Sequence, residues 1–559
     1  MENPQVSELL SEIGVVLELL GENTFKVRAY ENAARAVDAY TGRIAELDEK
    51  QLQEISGIGK GLAEKIHMYC SIGYLPYYED LKKKIPRGLV EMLRIPSLGP
   101  KRAKLLFDKL KIDSVAALET ACAEGRLAAL EGFGEKSQAK IMEGIRMLST
   151  FRDQHLLAEV LPLAERLVAH LKKCKAVRRI EIAGSIRRRK KLVKDLDIVV
   201  SSDRPGDVSE AFVGADGVTE VIARGDTKTS VRLADKIQAD LRVVADDEFP
   251  YALHHFTGSK AHNIALRSLA KDRGLKISEY GVFKGKKRIA AKDEESFFKI
   301  FGLAFIPPEL REDRGEIAAA AEGGLPDLVT DRDIKGILHV HTNWSDGMAD
   351  LEVMVKEAAR RGYQYIAITD HSQTSYYAKG LPVERLKKQM AEIAAINKKR
   401  PGIRVLAGSE VDILPDGRLD YDDDLLASLD VVIAAVHSHF GMKPDEMTKR
   451  ICRALEHPEV DILAHPTGRL LLTRPGYEFD WEAALKCAAR HGKSVELNAN
   501  PQRLDIDPVH AKRAAQLGVK ISINPDAHRV EGLDDMRYGV WAARRGWLGR
   551  KDIINTENW

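Results

Sequence analysis

From residue 336 onward the sequence alternates seven short apolar, β-like runs with helix-length stretches, a pattern few folds can satisfy. The runs are ILHVHT (337–342), YIAITDH (365–371), RVLAGSEVD (404–412), VVIAAVHS (431–438), VDILAHP (460–466), SVELNAN (494–500) and VKISINPDAH (519–528). Strands joined through helices pair in parallel, and seven such units predict a closed or nearly closed barrel. Polar residues at the strand ends then meet at one mouth. Nine candidate metal ligands occupy such positions: His339, His341, Asp346, His371, Glu410, His437, His465, Asp526 and His528. His339 and His341, two apart, share a strand face and can reach one ion. Only SVELNAN brings no evident ligand. Nine ligands imply two or three metals, and mixed His, Asp and Glu donors suit Mn2+, Zn2+ or Fe2+, with Glu410 as a bridging carboxylate. Clustered divalent ions activate water and clamp phosphate oxygens, so phosphoester hydrolysis is the expected chemistry. His439, His457, His491 and His510 fall outside this pattern and receive no metal role.

The other half of the chain has a different texture. With 559 residues the chain exceeds one core and predicts at least three domains. Its 86 basic and 84 acidic residues leave a net charge of only +2, so any nucleic-acid footprint must be local. Residues 172–194 supply one, with eleven Lys or Arg against Glu181 alone. Five cysteines with no CxxC pair predict free thiols in a reducing compartment. The apolar run at 13–20 contains Glu18 and has no basic segment before it, so it fails as a signal or membrane span. A soluble, cytoplasmic protein is expected, with no membrane partner.

Residues 1–150 read as helices joined by glycine turns, and one pattern recurs three times. It appears as Ile55-Ser56-Gly57-Ile58-Gly59-Lys60, as Ile95-Pro96-Ser97-Leu98-Gly99-Pro100-Lys101, and as Leu130-Glu131-Gly132-Phe133-Gly134-Glu135-Lys136. Glycines permit a tight hairpin, and the following helix offers free N–H groups and its positive dipole end, with a lysine alongside. Such repeats resemble helix-hairpin-helix motifs and predict DNA-backbone contacts at Gly57, Gly59, Lys60, Gly99, Lys101, Gly132 and Gly134.

Between 155 and 300 the chain turns α/β. Asp195 and Asp197 open the apolar run Ile198-Val199-Val200 and, two apart on a strand, point to one face about 6.6 Å apart. Two carboxylates so placed can share a pair of Mg2+ ions about 4 Å apart, as in in-line phosphoryl displacement. Asp240, in the run QADLRVV, supplies the third carboxylate expected on a neighbouring strand. Residues 302–335 hold Pro307-Pro308, an alanine run and Gly323-Gly324, and read as a tether.

GSIRRRKKLVKDLDIVV, QADLRVV and HHFTGSKAHN resemble the palm and thumb signatures of DNA polymerase family X, the polymerase beta-like group, and the likeness covers residues 1–300. The barrel half, with its HxH, TDH, lone Glu, single-His strands and final DxH, resembles the PHP (polymerase and histidinol phosphatase) domain. Together they imply a multidomain α+β and α/β fold. An N-terminal helical DNA-binding domain (1–81) and a helix-hairpin-helix domain (82–150) would precede a nucleotidyltransferase palm (151–250) and a thumb (251–301). The linker (302–335) would lead to a distorted (β/α)7 PHP barrel (336–559). The resemblance implies that Asp195 and Asp197 bind both metals and that Asp240 helps deprotonate the primer 3′-hydroxyl. Gly184 keeps the family's eleven-residue spacing to Asp195, and Ser185 and Arg188 would hold the dNTP triphosphate. In the turn Phe256-Thr257-Gly258-Ser259, Phe256 would lie against the sugar, Asn263 near the base edge and Arg267 near the template. His255 stands where many members have Tyr, which leaves deoxy versus ribo selection open. Lys65 matches the Schiff-base lysine that removes 5′-deoxyribose phosphate.

The implied function is gap filling by a DNA polymerase in base-excision repair, with gapped or primed DNA and dNTPs as partners. Mn2+-dependent 3′-5′ exonuclease activity would come from the PHP domain, with AP endonuclease or 3′-phosphatase activity beside it, in a monomer. Two alternatives stand. One is a gap-binding scaffold without synthesis, against which the three aspartates count; the other makes the barrel a small-molecule phosphatase.

Overall fold

A computed structural model describes the chain except residues 1–2, 41, 94, 96–97, 152, 235 and 400–401. It divides into two compact units, Met1–Arg152 and a second running from Asp153 to the C-terminus apart from residues 472–474.

The first unit is helical and holds two apolar cores, one formed by residues between Val6 and Leu81, the other chiefly by residues between Leu89 and Ile145. Each glycine repeat leads into a helix: Lys60–Ile72, Pro100–Leu110 and Glu135–Phe151. The apolar residue between the hairpin glycines, Ile58 or Phe133, and its counterpart Leu98 are buried, and this pins the turn to the core. A Cβ at Gly59, Gly99 or Gly134 would meet nothing within 4 Å, so the backbone there is open to a ligand. Pro96 and Ser97 of the middle repeat lie outside the described residues.

In the second unit, five strands form a palm-like sheet: β1 (Arg179–Ile182), β2 (Asp195–Ser201), β3 (Val218–Arg224), β4 (Lys228–Leu233) and β5 (Gln238–Val244). Their order is β1-β2-β5-β4-β3, with β2 and β5 parallel. Ile198, Val199 and Val200, β-branched and fully buried, make β2 an interior strand. Beyond it, helices Phe249–Thr257 and Lys260–Asp272 and a three-stranded antiparallel sheet pack around Phe297, Phe298 and Phe301.

The seven predicted units follow as β6 (Gly336–Ile337), β7 (Tyr365–Ile368), β8 (Arg404–Asp412), β9 (Val431–Ala435), β10 (Ile462–Leu463), β11 (Ser494–Asn498) and β12 (Ile521–Asn524). All pair in parallel in chain order. The bridge Val340 to Ala527 joins the chain after β6 to the chain after β12, so the barrel is nearly closed.

The stretch read as a tether is packed instead. Leu303, Ile306, Leu310 and Ala320 are buried. Arg311, fully buried, pairs with Glu294 at 2.6 Å and donates to the Ile306 carbonyl. Glu316 meets His262 at 2.6 Å, and Glu309 meets Arg544 at 2.8 Å. Its composition suggested flexibility because the partners of these charges lie far away in sequence.

Candidate active sites

On β2 and β5 the register sets Asp197 directly opposite Asp240 and Asp195 opposite Gln238. Burial, and then the Asp195 and Asp240 carboxylates, push Asp197 up to about 7. Burial and Asp240 raise Asp195 as well. Asp240 goes the other way: burial would raise it, but hydrogen bonds from Lys228, Ser230 and Gln238 outweigh that and hold it below the usual range. Lys228 Nζ stands 2.8 Å from Asp240 Oδ2, a partner not foreseen from the sequence although its alternating strand β4 places it there. Gly184 has φ +60, and a Cβ on it would lie 2.2 Å from Asp197 Oδ2. Only glycine lets this turn cross beneath the carboxylate.

The neighbouring Ser185 Oγ is buried without a hydrogen-bond partner, as is Asn263 Oδ1. Asn263 Nδ2 donates to the His255 carbonyl at 2.9 Å, and Arg267 Nη2 lies 3.2 Å from His255 Nδ1. Burial and the Arg267 and Arg242 guanidiniums outweigh Glu279 and lower His255. Phe256 faces the Arg242 guanidinium at 4.8 Å. A Cβ on Gly258 would come within 3.2 Å of Arg188 Nη1. Ser259 caps the next helix by accepting from the His262 N–H.

The basic loop before β2 is less open than its composition implies. Arg187 is bidentate on Glu294 and donates to Thr257 Oγ1 at 2.8 Å. Arg188, assigned to a triphosphate from the sequence, donates to Glu312 at 3.1 Å and to the Thr257 carbonyl. Arg189 stacks on Trp541 at 3.9 Å. Arg545, on the helix Met536–Arg545 that packs on β12, donates both to Glu312 at 3.1 Å and to the Arg188 carbonyl at 2.5 Å. Of the charges read as a nucleic-acid footprint, Arg187 is engaged by Glu294 and Thr257, while Arg188 and Arg189 tie the palm-like sheet to the barrel.

All nine rim candidates converge. His341, Asp346, His371 and His528 form one ligand group, His339, His341 and Asp526 a second, and His371, Glu410 and His437 a third. His465 Nε2 joins through Glu410 Oε1 at 2.8 Å. His339 Nε2 and His341 Nε2 are 3.1 Å apart, and His341 Nε2 is 3.2 Å from Asp526 Oδ1. These groups could hold metal ions. Burial, then His528 and His371, push His341 down to about 3. His437 and His528 rise to about 10 and about 9, where Glu410 and Asp412, and Asp346 and Asp526, overcome the opposing effect of burial.

Behind the rim stand residues that the sequence did not single out. Glu496, on the supposedly ligand-free β11, takes His339 Nδ1 at 2.7 Å and the His465 N–H at 2.7 Å. Asp412, two residues after Glu410 and on the same strand face, takes His437 Nδ1 at 2.6 Å. Fully buried Asp370 accepts from Thr342, Ser345 and Gln389 and fixes the loop after His341. Arg503 Nε lies 3.5 Å from Asp526 Oδ2, and its buried Nη1 has no partner. Strand parity could have found Asp412; nothing local marks Arg503.

Lys65 is half-buried on its helix; its Nζ donates to the Gly61 carbonyl at 2.8 Å and lies 5.1 Å from the Tyr77 ring.

Comparison with known proteins follows the same division. Residues 1–75 match a helix-hairpin-helix domain and residues 89–147 a SAM-like helix-hairpin-helix tandem. Residues 252–312 match the DNA polymerase beta thumb, which reaches into the supposed tether, and residues 338–499 match the PHP domain. The DNA polymerase/3′-5′ exonuclease PolX of Bacillus subtilis (strain 168) is 41% identical over 562 residues, 100% of this chain and 98% of that protein. A probable phosphatase of Syntrophotalea carbinolica is 28% identical over 228 residues, 39% of this chain and 90% of that protein. Another from Thermoanaerobacter sp. (strain X514) is 31% identical over 237 residues, 40% of this chain and 92% of that protein. Identity at this level across the whole length, with polymerase beta thumb and PHP domains in order, means that the chain belongs to the PolX family of polymerase beta-like DNA polymerases joined to a C-terminal PHP domain.

Proposed function

We propose that the chain fills short gaps in DNA by templated nucleotidyl transfer at Asp195, Asp197 and Asp240, and hydrolyses phosphodiesters at 3′ ends on the barrel rim. The observation that carries the first activity is the register of Asp197 against Asp240 over Gly184. The nine-residue convergence carries the second. Helix-hairpin-helix domains at 1–81 and 82–150 would hold the DNA backbone, with synthesis at 151–250 and dNTP selection at 251–301.

The donor sets fit metals. Three crowded carboxylates, an all-oxygen set, suit Mg2+, while imidazoles mixed with carboxylates suit two or three Mn2+ or Zn2+ ions. Buried His341 Nδ1 and His465 Nδ1 have no hydrogen-bond partner, and His371 Nδ1 lies 2.9 Å from Glu410 Oε2. When bound, such ions activate the attacking oxygen and neutralise phosphate charge. The chain's own groups bind and orient. Ser185 Oγ and Asn263 Oδ1 are free to meet a triphosphate and a base edge, and Arg503 Nη1 a phosphate at the rim. Asp240, kept ionised by Lys228, is the acceptor for the primer hydroxyl proton. We further assign to Lys65 the removal of 5′-deoxyribose phosphate. Borohydride trapping on a 5′-deoxyribose phosphate end is expected with the native chain and lost in Lys65→Ala; trapping retained would remove that role.

Asp240→Asn is expected to abolish extension on a one-nucleotide gap and spare Mn2+-dependent digestion, and His341→Ala to do the reverse. Extension by the first variant would sink the triad assignment; unaltered digestion by the second would take the rim out of nuclease chemistry. The probable phosphatases among its relatives favour 3′-phosphate removal as a second rim activity, read by release of phosphate from a 3′-phosphorylated primer. A monomer in the reducing cytoplasm, consistent with five free cysteines, completes the proposal.

A further inference from the structure

Tyr376 and Tyr377 are the most exposed aromatic side chains of the second unit among the described residues, at 83% and 72%. They sit on the short turn Tyr376–Ala378 that follows His371, and the Tyr377 ring centroid lies 6.4 Å from that of His371. An aromatic ring left in water adds nothing to folding, since its favourable transfer into the core is forgone.

The ground under these rings is nevertheless firm. Thr374 N donates to Asp420 Oδ2 at 2.7 Å, and Gln373 Nε2 to the Asp420 carbonyl at 2.9 Å. The hydroxyls of Thr374 and Ser375 both donate to Asp412 Oδ2, at 2.7 and 2.8 Å. Asp412 is the carboxylate that orients His437. The loop closes through Gly380 N to the Ser375 carbonyl and Leu381 N to the His371 carbonyl, and a Cβ on Gly380 would lie 1.9 Å from the Ser372 carbonyl oxygen. Two aromatic faces are thus held in water, anchored to the carboxylate that positions a rim histidine. Lys379, exposed and two residues after Tyr377, adds a cation.

We propose that Tyr377, with Tyr376 beside it, is a stacking platform for the unpaired terminal base of the DNA strand cut at the rim. The proposal rests on the rim's hydrolysis of DNA and names what the rim grips. A base is the flat, weakly hydrated part of a nucleotide, and stacking on an aromatic ring is tolerant of sequence. A small phosphate ester without a ring would gain nothing from this loop.

The test compares a single-stranded oligonucleotide ending in a normal nucleotide with the same strand ending in an abasic one. The full-length native chain is expected to digest the base-ended strand with a KM lower by roughly tenfold, the usual scale of one base–aromatic contact. Tyr376→Ala/Tyr377→Ala should bring the two strands to equal KM, and Tyr377→Trp should keep the preference. A binding readout without divalent metal accompanies it: fluorescence of a 3′-terminal 2-aminopurine is quenched by the native chain and less so by the double variant. Equal KM values in the native chain, or an undiminished preference in the double variant, overturn the proposal. A change of sedimentation in the double variant without a change of preference also overturns it, and would give the rings to a second copy of the chain. His341→Ala separates the two levels: if it leaves digestion intact the nuclease function itself fails, whereas loss of digestion there with preference retained in the double variant fails the platform alone.

Discussion

Burial and its carboxylate neighbours push half-buried Asp197 of the palm-like triad up to about 7, whereas Asp346 on the barrel rim, also half-buried, is held at about 2 by the His528, His341 and His371 imidazoles. Glu410 and Asp526 on the rim likewise lie well below their usual range, because histidines outweigh the burial that would raise them. The triad gathers like charges around a glycine turn and has Lys228 as a close cation. The rim interleaves carboxylates with rings that can carry the positive charge themselves. A site built from like charges depends on added cations for its electrostatics, and a site built from mixed ligands carries much of its compensation with it.

Three experiments test this contrast. The largest effect after the D240N and H341A pair is expected at Glu496, which holds both His339 and the His465 backbone. Glu496→Gln should lower rim metal affinity or digestion by roughly 10–100-fold, the scale of lost outer-shell support, and leave gap extension unchanged. Equal losses in both assays would mean that the barrel acts on the palm-like site beyond its own metals.

Arg545 and Glu312 connect the two regions. Arg545→Ala frees the Arg188 carbonyl and leaves the half-buried Glu312 with Arg188 as its remaining ion-pair partner, so the KM for dNTP should rise roughly tenfold at similar kcat, given about 1–2 kcal/mol for a charged hydrogen bond. Arg545→Lys should recover part of it, and rim digestion should stay as it was. An unchanged KM would leave Arg545 as packing only.

The smallest effect is a pH dependence. Asp197 rises from its ordinary 3.8 to about 7 on folding, so it favours the folded state below pH about 4 and loses that contribution as pH rises towards 7. In chelator-treated protein the Tm of Asp197→Asn minus that of the native chain should therefore grow between those limits, and added Mg2+ should shrink the difference. A difference independent of pH would mean that burial and the neighbouring carboxylates do not raise Asp197.

How much of this was legible depended on range. Asp195 and Asp197 needed only strand parity, and His339 with His341 needed the same, because side-chain direction in a strand alternates by a rule local to the backbone. Glu496 was passed over for the opposite reason: it lies behind the ligands, and its value comes from touching His339, 157 residues away in the chain. The basic loop misled because composition records charge without its partner; Glu294 and Glu312 neutralise Arg187 and Arg188 from across the fold.

The elements are written in the chain itself: seven strand–helix units, three glycine-rich repeats, three grouped carboxylates and nine residues that converge on the rim. Each is written in short-range patterns of apolar, glycine and ligand residues, which the backbone's periodicities convert directly into faces and turns. Long-range packing alone sets residues 302–335 against the fold, braces the loop before β2 with Arg545, and leaves two tyrosines in water beside His371. Those outcomes turn on burial and on ion pairs between distant segments, where desolvation favours a charge only if its partner arrives, and no local pattern states which partner that is.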